Sequence, residues 1–108
     1  MNTEHYLDPT IPIYEALEKA PELYGQENEK DPIVYAVLRN KYNNWVRFVT
    51  EYDPTEQMIF SLVYGFEKEW GYADLNELLD NGTEMDAEFD GPKKLSEYQN
   101  ILGINYEK

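Results

Sequence analysis

The segment Asp53-Pro54-Thr55-Glu56 restricts the fold more than any other feature of this chain. Aspartate at the first position and proline at the second suit a type I turn. Before it runs Trp45-Val46-Arg47-Phe48-Val49-Thr50-Glu51-Tyr52, and after it Met58-Ile59-Phe60-Ser61-Leu62-Val63-Tyr64-Gly65-Phe66. Both runs are rich in β-branched and aromatic residues, so the turn folds two strands back on each other. In the first, Val46, Phe48 and Tyr52 are expected on one face and Arg47 and Glu51 on the other, with Trp45 sharing that outward side. The second is apolar on both faces, as a central strand is. Ile33 to Leu38, entered from the polar loop Gln26 to Pro32, supplies a third strand, giving an antiparallel meander.

Helices flank this meander. Pro12 to Ala20 carries Ile13, Leu17 and Ala20 on a narrow stripe and is stopped by Pro21. Asp74-Leu75-Asn76-Glu77 reads as a capping box for a short helix to Leu79 that ends at Asn81-Gly82, and Ser96-Glu97-Tyr98-Gln99 reads as a second box. Leu95, Tyr98, Ile101 and Leu102 give that last helix its apolar side, before Gly103. Trp70-Gly71-Tyr72 falls in an expected loop. The predicted class is α+β, a small antiparallel sheet (three-strand meander plus a further strand) with short helices packed on it. One domain spans 1–108, with 1–11 and 104–108 loosely ordered.

The further strand is Glu84 to Asp90. Met85, Ala87 and Phe89 alternate with Glu84, Asp86, Glu88 and Asp90, placing four carboxylates in a row on one side. Residues two apart on a strand lie about 6.8 Å apart, comparable to the phosphate spacing of a nucleic-acid strand. Such a row is either the solvated face of an edge strand, which discourages aggregation, or an imitation of a nucleic-acid backbone. Charge adds weight to the second reading: the chain carries −13 overall, and residues 56–108 hold 12 carboxylates against 4 basic residues. An acidic surface does not bind phosphate backbones or anionic membranes directly. Composition permits disorder by charge, yet 16 aromatic residues argue for a packed core.

Catalytic groups are scarce. His5 is the sole histidine, there is no cysteine, and Ser61 and Ser96 lie in no nucleophile elbow. No glycine-rich phosphate loop occurs, and the stretch Asp74 to Asp86 puts Leu78 where a calcium ligand belongs. The expectation is therefore no catalytic residue, no cofactor and no metal. Absence of cysteine, of a basic leader and of a long apolar run fits a cytoplasmic protein.

Pro21-Glu22-Leu23-Tyr24-Gly25, Asp31-Pro32-Ile33-Val34-Tyr35-Ala36, Asn44-Trp45 and Phe48-Val49-Thr50-Glu51-Tyr52-Asp53-Pro54 form a familiar series. Phe60 to Tyr72 and Leu75-Asn76-Glu77-Leu78 extend it, followed by Asp86, Phe89, Pro92 and Leu95-Ser96-Glu97. Over residues 21–98 the chain resembles the family catalogued as domain of unknown function 2958. Val46 and Arg47 stand where that family commonly has a second aromatic, and Met85 stands where it commonly has an arginine. The resemblance implies a short protein of phages, plasmids or other mobile elements, with no established activity and no catalytic residues to carry over.

The function expected from these features is protein binding. A basic-surfaced host protein, itself nucleic-acid-binding, would dock on Glu84, Asp86, Glu88 and Asp90, with Glu67, Glu69 and Asp74 extending the charge and Trp70 or Tyr72 as anchors; inhibition of host defence is the matching role. Two other classes compete. A small carboxylate-based or metal-dependent hydrolase needs two acids converging in a pocket. A structural homo-oligomer, in the simplest case a homodimer, would bury the tryptophans between copies.

Overall fold

The computed structural model describes residues 11–103. The ends expected to be loose, and with them His5, lie outside the described residues, apart from Ile11, which opens the first helix. The elements in order are α1 (Ile11–Leu17), β1 (Ile33–Val34), β2 (Ala36–Asn40), β3 (Val46–Asp53), β4 (Met58–Tyr64), β5 (Lys68–Asp74), α2 (Leu75–Asp80), β6 (Thr83–Met85), β7 (Lys93–Lys94) and α3 (Leu95–Ile101). Five strands make one antiparallel sheet in the order β5-β4-β3-β2-β6, and β1 pairs with β7 in a small separate ribbon. The fold is α+β, with the meander β2-β3-β4 at its centre. Among the described residues no helix is long and apolar enough to cross a membrane.

The turn at Asp53 forms as its sequence dictates: the Asp53 carboxylate accepts the Thr55 amide at 2.9 Å. Asp74 likewise caps α2, accepting the Asn76 amide at 2.9 Å. Two features depart from simple strand arithmetic. The single run expected from Ile33 to Leu38 is broken at Tyr35, so Ile33 and Val34 leave the main sheet and pair with Lys94 and Lys93. In β3, Val49 pairs with Ser61 but Glu51 pairs with Phe60, leaving Thr50 as an extra residue in a β-bulge. One extra residue reverses the alternation beyond it. Tyr52 therefore joins Val49 on one face, and Glu51 turns to the face of Phe48, contrary to the expected grouping of Val46, Phe48 and Tyr52.

Each face of the sheet has its own core. On one, Ile13 and Leu17 of α1 and Leu75 of α2 pack on Ala36, Leu38, Val49, Tyr52 and Ile59. On the other, Leu95 and Tyr98 of α3 pack with Val34 on Val37, Val46, Phe48 and Leu62. Leu95 and Tyr98 are buried as the helical stripe requires, whereas Ile101 is exposed.

The start of α3 is tied down from a distance. The carboxylate of Asp31 accepts the Ser96 amide at 2.9 Å and the Ser96 hydroxyl at 2.7 Å, and the Glu97 carboxylate accepts the Lys94 amide at 3.0 Å. The expected Ser96–Gln99 box is thus replaced by a box two residues earlier, with Glu97 reaching back to Lys94, and by a cap supplied from the 26–32 loop. Gln99 is buried and donates to the Tyr64 hydroxyl at 2.8 Å. Replacing Asp31 by alanine should lower stability by about 1–2 kcal/mol, the usual worth of a cap. Urea denaturation checks this, and an Asp31→Ala midpoint equal to that of the parent would contradict it.

Candidate functional site

The row of four carboxylates does not form. Strand β6 stops at Met85, and residues 86–90 turn instead of continuing extended. The cause is Asp86, which is buried at 7 % exposure and binds the Arg39 guanidinium at 2.5 Å. Its other oxygen accepts the Glu88 amide at 2.7 Å, and its carbonyl accepts the Phe89 amide at 3.0 Å. A carboxylate that closes its own turn and neutralises an arginine cannot also stand in a solvent-facing row. Glu84, Glu88 and Asp90 are exposed, with the Asp90 carboxylate 3.6 Å from Lys93 and its amide donating to the Tyr98 hydroxyl.

The upstream residues separate in the same way. Trp70-Gly71-Tyr72 is no loop but the middle of β5, held in register by Leu62, Ser61 and Phe60 of β4. Alternation along β5 sends Trp70 and Tyr72 to one face and Glu69 to the other. Glu69 and Glu67 flank a shallow depression beside Trp45 and Phe66, and Asp74 is occupied in capping α2. Trp45 packs edge-on against Phe66 and covers Gly65, where an added Cβ would meet its ring at 2.7 Å. The bulge places Glu51 away from Trp45 and Arg47.

What the fold does assemble is an aromatic surface around one carboxylate. Phe60 stacks on Trp70 with centroids 5.3 Å apart and planes 14° apart, Tyr72 lies 4.8 Å from Phe60, and Tyr24 meets Tyr72 edge-on at 6.4 Å. Trp70 is 43 % and Tyr72 50 % exposed. Helix α3 spans only seven residues and packs on Val34, Val37, Val46, Phe48 and Leu62, and Phe60, Trp70 and Tyr72 lie outside that core. A hydrogen bond with the Tyr24 hydroxyl, followed by burial and the charges of Glu51 and Glu27, pushes the Tyr72 phenol up to about 12.

Beside these rings is a groove of about 370 Å³, lined by Glu27, Glu29, Lys30, Thr50, Glu51, Phe60 and Trp70 among others. Glu51 is 2 % exposed and sits at its base. Its two oxygens accept the backbone amides of Tyr24 at 2.7 Å and Gln26 at 2.9 Å, an arrangement made possible by Tyr24 at φ 72°. Gln26 completes the wall: its side chain donates to the carbonyls of Ile33 and Thr50 and accepts the Ile33 amide. Among the described residues Glu51 takes part in no ion pair.

No family model, curated protein or solved structure matches the chain. Chemistry must therefore be read from this groove. It joins π-faces to fixed negative charge, the combination that holds guanidinium and ammonium groups. Glu51, Phe60, Tyr24 and Gln26 were not singled out by sequence. Phe60 is one aromatic in an apolar strand, and the positions of Glu51 and Tyr24 depend on a bulge and a left-handed residue that no residue pattern announces.

Proposed function

We propose that this protein is a binding module for a basic-surfaced protein partner, a class that includes nucleic-acid-binding host proteins. The observation that carries this reading is the uncovered Phe60–Trp70–Tyr72 surface beside the buried Glu51 carboxylate. Aromatic anchors next to a groove are the residues that concentrate binding energy at protein interfaces. The net charge of −13 supplies long-range attraction to a cationic surface and makes encounter depend on salt. Both Glu51 oxygens are committed to the backbone amides of Tyr24 and Gln26, which fixes the carboxylate in place at the groove.

Affinity capture from host lysate, followed by measurement on the purified partner, tests the reading. Trp70→Ala should weaken binding by about 2 kcal/mol, close to thirtyfold, as loss of a central aromatic anchor does. The triple change Glu84→Gln, Glu88→Gln and Asp90→Asn should alter affinity by less than about threefold, because rim charges contribute little. The opposite ranking would return the site to the acidic segment and remove the aromatic surface from consideration.

A further inference from the structure

Strand β5 ends the sheet, and its register with β4 shows which of its backbone groups remain open. Residues of β4 and β5 oppose each other from Met58↔Asp74 to Tyr64↔Lys68. Just beyond the two ends of this ladder, the Leu75 amide donates to the Gln57 carbonyl at 2.9 Å and the Gly65 amide to the Glu67 carbonyl at 3.2 Å. Both bonds fall on odd-numbered residues. In an antiparallel pair the bonded and non-bonded positions alternate, so Glu69, Gly71 and Ala73 exchange hydrogen bonds with β4. The amides and carbonyls of Trp70 and Tyr72 point the other way, out from the edge. No hydrogen bond among the described residues reaches them there.

We propose that β5 accepts an extended, basic segment of the partner as a sixth, antiparallel strand, bonded to the backbone of Trp70 and Tyr72. This rests on the binding role proposed above and specifies how it is done. The residues that offer open backbone are the same two whose rings lie on the aromatic face, Trp70 lining the groove and Tyr72 packed against Phe60 beside it. In an antiparallel addition, partner residues bonded to Trp70 and Tyr72 lie directly opposite them, about 5.5 Å away between Cα atoms, with side chains on the aromatic face. Arginine or lysine at those two positions, two apart in the partner, lies within cation–π range of the rings and points toward the groove, where Glu51, Glu27 and Glu29 outnumber Lys30. Alternating basic residues are the chemistry that this edge selects. A second copy of the chain is a poor occupant, since each copy carries −13.

Amide hydrogen exchange by NMR on the whole protein, with three heptapeptide probes, tests the proposal. The probes are alternating threonine and arginine, the same peptide N-methylated at each arginine, and alternating threonine and glutamate. With the first peptide at about ten times its Kd, exchange at the Trp70 and Tyr72 amides should slow about tenfold, while Gly71, already bonded to Ser61, stays unchanged. The N-methylated peptide should lose at least about tenfold in affinity and give no protection, and the glutamate peptide should not bind. If both arginine peptides bind equally and shift Phe60 and Trp70 without protecting the two amides, strand addition is wrong while the groove reading stands. If neither arginine peptide shifts any groove resonance at millimolar concentration, both readings fall. Protection of Trp70 and Tyr72 that rises with protein concentration alone would assign the edge to self-association and overturn the proposal.

Discussion

Replacing Glu51 by alanine is expected to destabilise the fold by about 3 kcal/mol, since two hydrogen bonds to a charged acceptor are lost, each worth about 1.5–3 kcal/mol. The lower part of that range applies because water can reach the Tyr24 amide once the carboxylate is gone. For a domain of this size the thermal midpoint should fall by roughly 12–24 °C. Glu51→Gln tests the geometry separately: its amide oxygen keeps one of the two bonds, but its NH2 group then faces a backbone donor. The glutamine variant should fall between the parent and the alanine variant. Equilibrium urea unfolding gives both values, and a loss under about 1 kcal/mol in Glu51→Ala would mean that the 24–26 turn holds itself. The same substitution removes the charge at the base of the groove, so affinity for a basic partner must be measured at a temperature where the variant is fully folded.

Arg39→Met should cost about 2–3 kcal/mol. Breaking a buried ion pair from one side leaves the other charge without compensation, and Asp86 is the buried member here, with its side chain 5 % exposed. The Arg39 side chain is about one-third exposed at 35 %, which places the loss below that of a fully buried pair. Asp86→Ala should cost a comparable amount for a different reason, because the Glu88 amide also loses its acceptor. The double variant Arg39→Met with Asp86→Ala should be more stable than the sum of the single losses predicts, by about 1 kcal/mol or more, since neighbouring partners couple. Strict additivity would show that the two groups do not stabilise each other.

The central hairpin and the helix at Leu75 were legible because their signals are local. Asp53-Pro54 and Asp74 act within three residues of where they stand. The same logic misplaced the acidic row. Alternation from Glu84 to Asp90 matches a strand in every residue, but Asp86 is 47 positions from the arginine that binds it, and no period within the segment reveals that pairing. β5 was missed for the converse reason: Lys68, Glu69 and Gly71 have weak strand preference, and pairing with β4 overrides it. The aromatic surface was half visible. Trp70 and Tyr72 stood out as anchors, but Phe60 joins them only through the register of β5 on β4, and Glu51 only through the bulge at Thr50.

The attachment of α3 also sets an order of events during synthesis. Asp31, Pro32 and the β1 strand leave the ribosome well before Lys93 to Tyr98, yet these two segments hold each other through Ser96, Leu95 and the β1–β7 pairing. Until the later segment emerges, the sheet face bearing Val37, Phe48 and Leu62 has no helix to cover it. Between the emergence of Leu62 and that of Leu95 the nascent chain therefore carries a sticky apolar surface, next to the aromatic rings that stay open afterwards. Loss of the last dozen described residues would leave that surface permanently wet, making the truncated chain a target for chaperones and proteases rather than a smaller version of the same domain.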